Sequence, residues 1–328
     1  MYYTWVSDMQ LLQEIEDRGY PTEYLLSRIR GRRVSLISDW EPLILGVATV
    51  ESLPLHYRDF APDTSPQGEW RHLLREFRWV YFQMNKRLRK IFSPFFLYAE
   101  LRTLFFFLRY RTTNEQTKWE QLLSVSLLSK QSKTRLKRSE DIQDAVRMVE
   151  ELLVSFSSIF RGTGEPFLKE GLRGMERWLT NRYLEHAVTL SLHPVIKKFF
   201  VRTIDSRNLI ALYKRLRWDL KGEADFVRGG SISVRKLRAA DDKGDMFNAL
   251  KMIQAFTGVT VETPDATSVE KAVYTAMTRT VRREGREPSG VALILDYLWR
   301  CSMEIRNLGV LIHGEGIDRD ILRTELIL

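Results

Sequence analysis

Residues 302–317 read SMEIRNLGVLIHGEGI, and Ile305, Leu308, Leu311 and Ile312 recur there at the spacing of one helical face. Glu304, Arg306 and Asn307 sit inside the same helix, where the chain is building a core. Two other segments carry the same pattern. Glu100-Leu101-Arg102-Thr103-Leu104 and Asp205-Ser206-Arg207-Asn208-Leu209 align with Glu304-Ile305-Arg306-Asn307-Leu308, and their starts lie 105 and 99 residues apart. Three positions past the shared Leu stand Phe107, Leu212 and Leu311; four positions past it stand Leu108, Tyr213 and Ile312. A segment with an acidic residue precedes each, around Glu76, Glu176 and Glu270. The near-equal spacing points to an internal repeat of about a hundred residues. Glu76-Phe77-Arg78-Trp79-Val80 matches loosely but falls off that period.

The repeated acid, arginine and asparagine are open to two readings. In one they bind or transform a ligand. In the other each Arg pairs with a carboxylate on a neighbouring helix, and the Asn ties down a helix end. Residues i and i+2 of a helix do not face each other, so acid and Arg must find separate partners. An enzyme rarely needs its site three times, whereas a packed joint between modules recurs with the module. The expectation is therefore a structural joint built from Glu100, Arg102, Asp205, Arg207, Asn208, Glu304, Arg306 and Asn307, with no catalytic, metal-ligating or cofactor-binding residue assigned.

Other features bound the reading. The 328 residues are long for a single domain and suit two or three. Charged residues make up 28% and hydrophobic ones 44%, which excludes disorder over most of the length. The net charge of +9 favours an acidic partner, such as anionic lipid heads, an acidic protein face or nucleic acid, or else serves solubility alone. A lone cysteine, Cys301, cannot form an internal disulfide; set beside Trp299 in an apolar helix, it reads as a packing residue. The N-terminal residues lack a basic start followed by an apolar run, so no secretory signal is expected. The nearest candidate for a membrane span, residues 91–111, is interrupted by Glu100 and Arg102 and broken near its start by Pro94, and reads as a buried core helix.

Helical periodicity covers 21–37, 71–89, 139–156, 171–200 with a break at Pro194, 205–220, 245–256, 268–281 and 290–313. Strand signals reduce to 47–53 and 258–263. Residues 60–70 read as a loop, 129–141 as an exposed basic hinge, and 160–167 and 226–233 as turns. The chain is expected to be all-α.

Two chemistries compete with the joint. Asp241-Asp242-Lys243-Gly244-Asp245 matches the DDxxD by which prenyl-diphosphate enzymes hold Mg²⁺, but it contains Gly244, leads into a helix and has no second Asp-rich partner. It reads as a turn with a helix cap. Between Trp70 and Arg111, arginines and lysines interleave with Trp70, Trp79, Tyr81 and Phe82, the composition of a single-strand nucleic-acid surface. A basic amphipathic helix with an aromatic core face explains it equally, and no nucleic-acid motif accompanies it. His186 and His193 lie seven apart without a third ligand.

The segments TIDSRNLIALYKRLR and FVRGGSISVRKL resemble the helix, Gly-Gly turn and short helix of the C subunit of V/A-type ATPases, the counterpart of the eukaryotic d subunit. The closing ALILDYLWRCSMEIRNLGVLIHGEGIDRDILRTELI is similar to that family's last segment, and LLSRIRGRR and ERWLTNRYLEHAV also fit. The chain departs from the pattern at Thr103, which stands where the Asn is expected, and within 120–138, which lacks the Gly-Gly turn. The resemblance implies three pseudo-repeated helical bundle modules (1–97, 98–200 and 201–328) forming a funnel. It implies a non-catalytic central-stalk component without cofactor, cytoplasmic and peripheral to the membrane. Its partners would be the proteolipid rotor ring and the other stalk subunits, and not nucleic acid.

Overall fold

A computed structural model describes residues 11–48, 66–222, 224–261, 265–286, 290–314 and 316–327. Among these residues there are fourteen α-helices, one short 3₁₀ turn (Ser158–Phe160) and no strand; Leu12 and Leu128 form an isolated antiparallel bridge. The helices are α1 (Thr22–Arg33), α2 (Glu41–Ile44), α3 (Pro66–Gln83), α4 (Lys86–Thr112), α5 (Gln116–Val125), α6 (Lys130–Lys137) and α7 (Ile142–Phe156). They continue with α8 (Gly164–Thr189), α9 (Pro194–Arg217), α10 (Val234–Asp242), α11 (Met246–Thr257), α12 (Ala266–Glu284), α13 (Gly290–His313) and α14 (Arg319–Glu325). The strand candidate at 47–53 lies outside the described residues from 49 onward, and the one at 258–263 opens on Gly258, the left-handed C-cap of α11.

Local chemistry sets the boundaries. Asn85 separates α3 from α4, dividing the periodic stretch 71–89, because its side chain caps α4 by accepting from Leu88 N–H at 3.0 Å. Residues 129–141 are largely exposed, as expected, but fold over most of their length into α6. Ser129 caps α6, and Leu136 of that helix is fully buried. The expected loop at 60–70 gives way to α3 from Pro66 on, while 60–65 lie outside the described residues. Pro194 opens α9 at its first turn, where its missing N–H has no helical acceptor to miss, and Asp205 sits in the middle of that helix.

Pro94 does not break α4. It lies inside the helix, and the Ser93 hydroxyl donates to Lys90 O at 3.1 Å, supplying the carbonyl that a residue-94 N–H would have served. By length and composition α4 could cross a membrane, yet 78% of its apolar window is buried inside the fold. Its apolar face packs on protein, as expected for a core helix.

The chain forms two compact units, one of Met1–Leu25 with Trp70–Leu192 and one of Leu26–Glu69 with His193–Leu328. In the first, α4 packs against α5, α7 and α8. Phe77, Tyr81, Phe92 and Phe96 interlock there, with Tyr81 and Phe96 centroids 5.2 Å apart and edge-on. In the second unit, α12 packs against α9, α11, α13 and α14, and its Val269, Val273 and Ala276 meet Leu209, Leu212 and Tyr213 of α9 in the core. The apolar positions downstream of the repeated motif follow the expected face. Phe107, Leu108, Leu212 and Tyr213 are fully buried, whereas Leu311 and Ile312, in the last turn of α13, are half-buried.

Candidate functional site

The three motifs lie in the middle of α4, in the middle of α9 and in the C-terminal half of α13. Their acids are buried: Glu100, Asp205 and Glu304. A buried carboxylate is tolerable only with donors around it. Here the donors are mainly backbone N–H groups of connecting segments.

The first two acids bind alike. Glu100 accepts from the Ser126 hydroxyl at 3.0 Å and from Leu127 N–H at 2.6 Å, partners 26 and 27 residues downstream. Asp205 accepts from the Ser231 hydroxyl at 2.6 Å, Ser231 N–H at 3.1 Å and Ile232 N–H at 3.0 Å, again 26 and 27 residues downstream. Both acids thus clamp a Ser and the residue after it, at one common offset. Glu304 accepts instead from Ile37 N–H, in the segment that follows α1.

The asparagines form a second kind of clasp. The Asn208 amide donates to Val227 O at 2.8 Å and accepts from Val227 N–H at 2.9 Å. The Asn307 amide does the same with Ile327, at 2.8 and 3.0 Å. The partners lie 19 and 20 residues downstream. In both cases a side-chain amide completes both hydrogen bonds of one buried backbone unit. Thr103, which stands in the asparagine's place, bonds within its own helix to Glu100 and accepts from Trp70 Nε1–H at 3.1 Å.

Arg102 lies over the ring of Trp70, 4.8 Å from its centroid, and Arg306 over Tyr274 at 5.4 Å. Each ring stands 32 residues upstream of its arginine. Arg207 is half-buried on α9. Sequence spacing singled out the acids and asparagines but missed their partners. Ser126 and Ser231, equally spaced from Glu100 and Asp205, were the available signal.

Charge gathers around the first clasp. Arg78 Nη1 and Lys133 Nζ both donate to Ser126 O, at 3.1 and 2.6 Å. Burial raises the Glu100 pKa against the pull of its hydrogen bonds and of Lys133. Burial, joined by the nearby Arg78, brings Lys133 down to about 8, partly offset by Glu100. A cavity beside Glu100, lined by Leu97, Leu104, Phe156 and Tyr183, offers about 10 Å³. That is room for about one water, not a substrate.

The competing chemistries find their residues committed elsewhere. Both Asp241 oxygens lie 3.0 Å from Arg215 Nε, and Asp245 caps α11 by accepting from Asn248 N–H at 2.9 Å. Gly244 takes a left-handed φ of 63° in the turn between α10 and α11. Trp70 and Tyr81 are buried in the first unit, and Phe82 lies under Arg78 at 4.5 Å, so these rings serve packing. His186 stands edge-on to Phe156, and His193 is the N-cap residue of α9. Cys301 is buried.

Among the described residues, long helices carry buried polar side chains that clamp the chain's own backbone, and the fold class is all-α. The sequence model of the ATP synthase (C/AC39) subunit family matches residues 69–324, most of the chain. The chain belongs to that family and is a V/A-type ATPase subunit. A search of curated proteins found no match.

Proposed function

We propose that the chain is a non-catalytic central-stalk subunit that couples the membrane rotor ring to the central shaft and so takes part in ion transport linked to ATP hydrolysis or synthesis. It works as three repeated helical modules, 1–97, 98–200 and 201–328, arranged as a funnel that seats the foot of the shaft. Glu100, Arg102, Asp205, Arg207, Asn208, Glu304, Arg306 and Asn307 are the joints of those modules. Its station is the cytoplasmic face of the membrane, reached through the proteolipid ring and not through a span of its own.

The observation that carries this reading is the repeated clasp, found in a chain of this family. Torque transmission requires that helices and their connections move as one body. Glu100 and Asp205 fix the connecting segment to the middle of a long helix, at the same offset. Each clamp multiplies backbone bonds where a loop would otherwise yield. The positive balance suits acidic helix ends of a stalk or anionic heads near the ring.

The test is co-purification from native membranes. The tagged chain should come down with the proteolipid ring or stalk subunits, and chelator or high-pH washes should release it without detergent. Recovery without either partner would refute the coupling role. Steeply salt-dependent nucleic-acid binding would favour the basic helical alternative.

A further inference from the structure

Asp296, in α13, has a side chain only 1% exposed. Two guanidiniums reach it: Arg33 Nη2, from the end of α1, at 3.0 Å, and Arg300 Nε, one turn along α13, at 3.2 Å. Gly285 lets the end of α12 close against the same carboxyl, since a Cβ there would stand 2.7 Å from Asp296 Cβ. That brings Arg282, in the last turn of α12, into electrostatic reach of Asp296, Arg33 and Arg300. Arg282 Nε is buried and has no hydrogen-bond partner. The exposed Arg30 and Arg286 add positive charge around Arg33 and Arg282.

The charges do not balance. Three guanidiniums and one carboxylate leave +2. Arginine cannot relieve this by losing its proton. Arg33 and Arg300 already outweigh the charge of Asp296, whose Oδ2 accepts no hydrogen bond, and Arg282 adds repulsion: the like charge of Arg300 acts on it more strongly than the pull of Asp296. Arg33 and Arg300 keep 25% and 28% of their side chains in solvent, so the cluster stays open on one side.

We propose that Arg282, Arg300 and Arg33 bind a phosphate-bearing dianion on the open side of Asp296. A dianion cancels the excess charge, and planar guanidinium forks match the oxygens of a phosphate. A partner's single carboxylate would leave one charge uncompensated. The site is independent of the coupling role and goes beyond it.

The experiment is thermal unfolding of the full chain with inorganic phosphate or pyrophosphate, against sodium chloride at matched ionic strength. Either phosphate should raise Tm saturably, by about 2 °C or more at a tenfold excess over Kd; chloride should not. Arg282→Gln removes an uncompensated charge. It should raise Tm without ligand and abolish the phosphate response. Arg286→Gln, at the exposed rim, should weaken the response with little change in the free chain. Vesicles carrying a phosphoinositide, set against phosphatidylcholine alone, separate the sources of the dianion. Binding that requires Arg282 assigns it to a lipid headgroup, and a response to soluble phosphate only assigns it to a free phosphate. No response to soluble phosphates or vesicles, the same shift with chloride, or a response that survives Arg282→Gln overturns the proposal.

Discussion

Gly230→Ala tests the clasp at its tightest point. An added Cβ would stand 2.2 Å from Asp205 Oδ1 and 3.0 Å from Ile204 Cγ2. Carbon and oxygen need about an ångström more, and Asp205 is too short and too buried to swing aside within its rotamer. The carboxylate must leave Ser231 and Ile232, which donate to it at 2.6, 3.1 and 3.0 Å. Hydrogen bonds to a charged group contribute about 1.5–3 kcal/mol each, so losing two of the three costs about 3–6 kcal/mol. That is a Tm fall of roughly 10 °C for the unit concerned. Urea and thermal unfolding followed by circular dichroism would measure it. Asp205→Ala alone should cost a similar amount. In its background Gly230→Ala should add less than about 1 kcal/mol, because the atom it strikes is gone. A Gly230→Ala protein within about 0.5 kcal/mol of wild type, or simple additivity in the double mutant, would refute the claim that carboxylate and turn hold each other.

Lys133, followed by NMR of a ¹³Cε-lysine label, should titrate near pH 8, and Glu100→Gln should lower that midpoint, since the carboxylate favours the ammonium form. Glu100 has a raised folded pKa, so its stabilising share is complete below its ordinary 4.5 and is lost as pH rises through the folded value. Stability curves of wild type and Glu100→Gln should therefore converge or cross as pH climbs from 4.5, and parallel curves would count against the assignment. Lys133 has the opposite sign: its share is complete above its ordinary 10.5 and is lost as pH falls towards 8. Asn307→Ala leaves Ile327 N–H and C=O without their amide, which should cost about 2–4 kcal/mol and speed Ile327 amide exchange before that of the α12 core.

The fold class was legible because long helices write their period into the sequence, and so were the acids and asparagines, which stand out against apolar neighbours. Their backbone partners were hidden because an N–H belongs to every residue type and leaves no mark in the alphabet; only the serine hydroxyls of Ser126 and Ser231 left one. Pro94 misled for a related reason: a proline reads as a break, and the repair comes from the neighbouring Ser93 hydroxyl. The arginines were harder still. Sequence gives no sign of the rings, Trp70 and Tyr274, that the fold sets beneath Arg102 and Arg306. The missing Gly-Gly turn in the first motif is explained once acid length is considered. Asp205 is short, so the turn must come close enough to strike its carboxylate, and only glycine fits at 230. Glu100 is one methylene longer and reaches Leu127 N–H at 2.6 Å, and Val125 stands at the matching position before Ser126. The acid's length and the residue 25 positions on are therefore coupled variables of one device. Exchanging only one of them, as in Glu100→Asp, should leave Leu127 N–H and the Ser126 hydroxyl short of their acceptor.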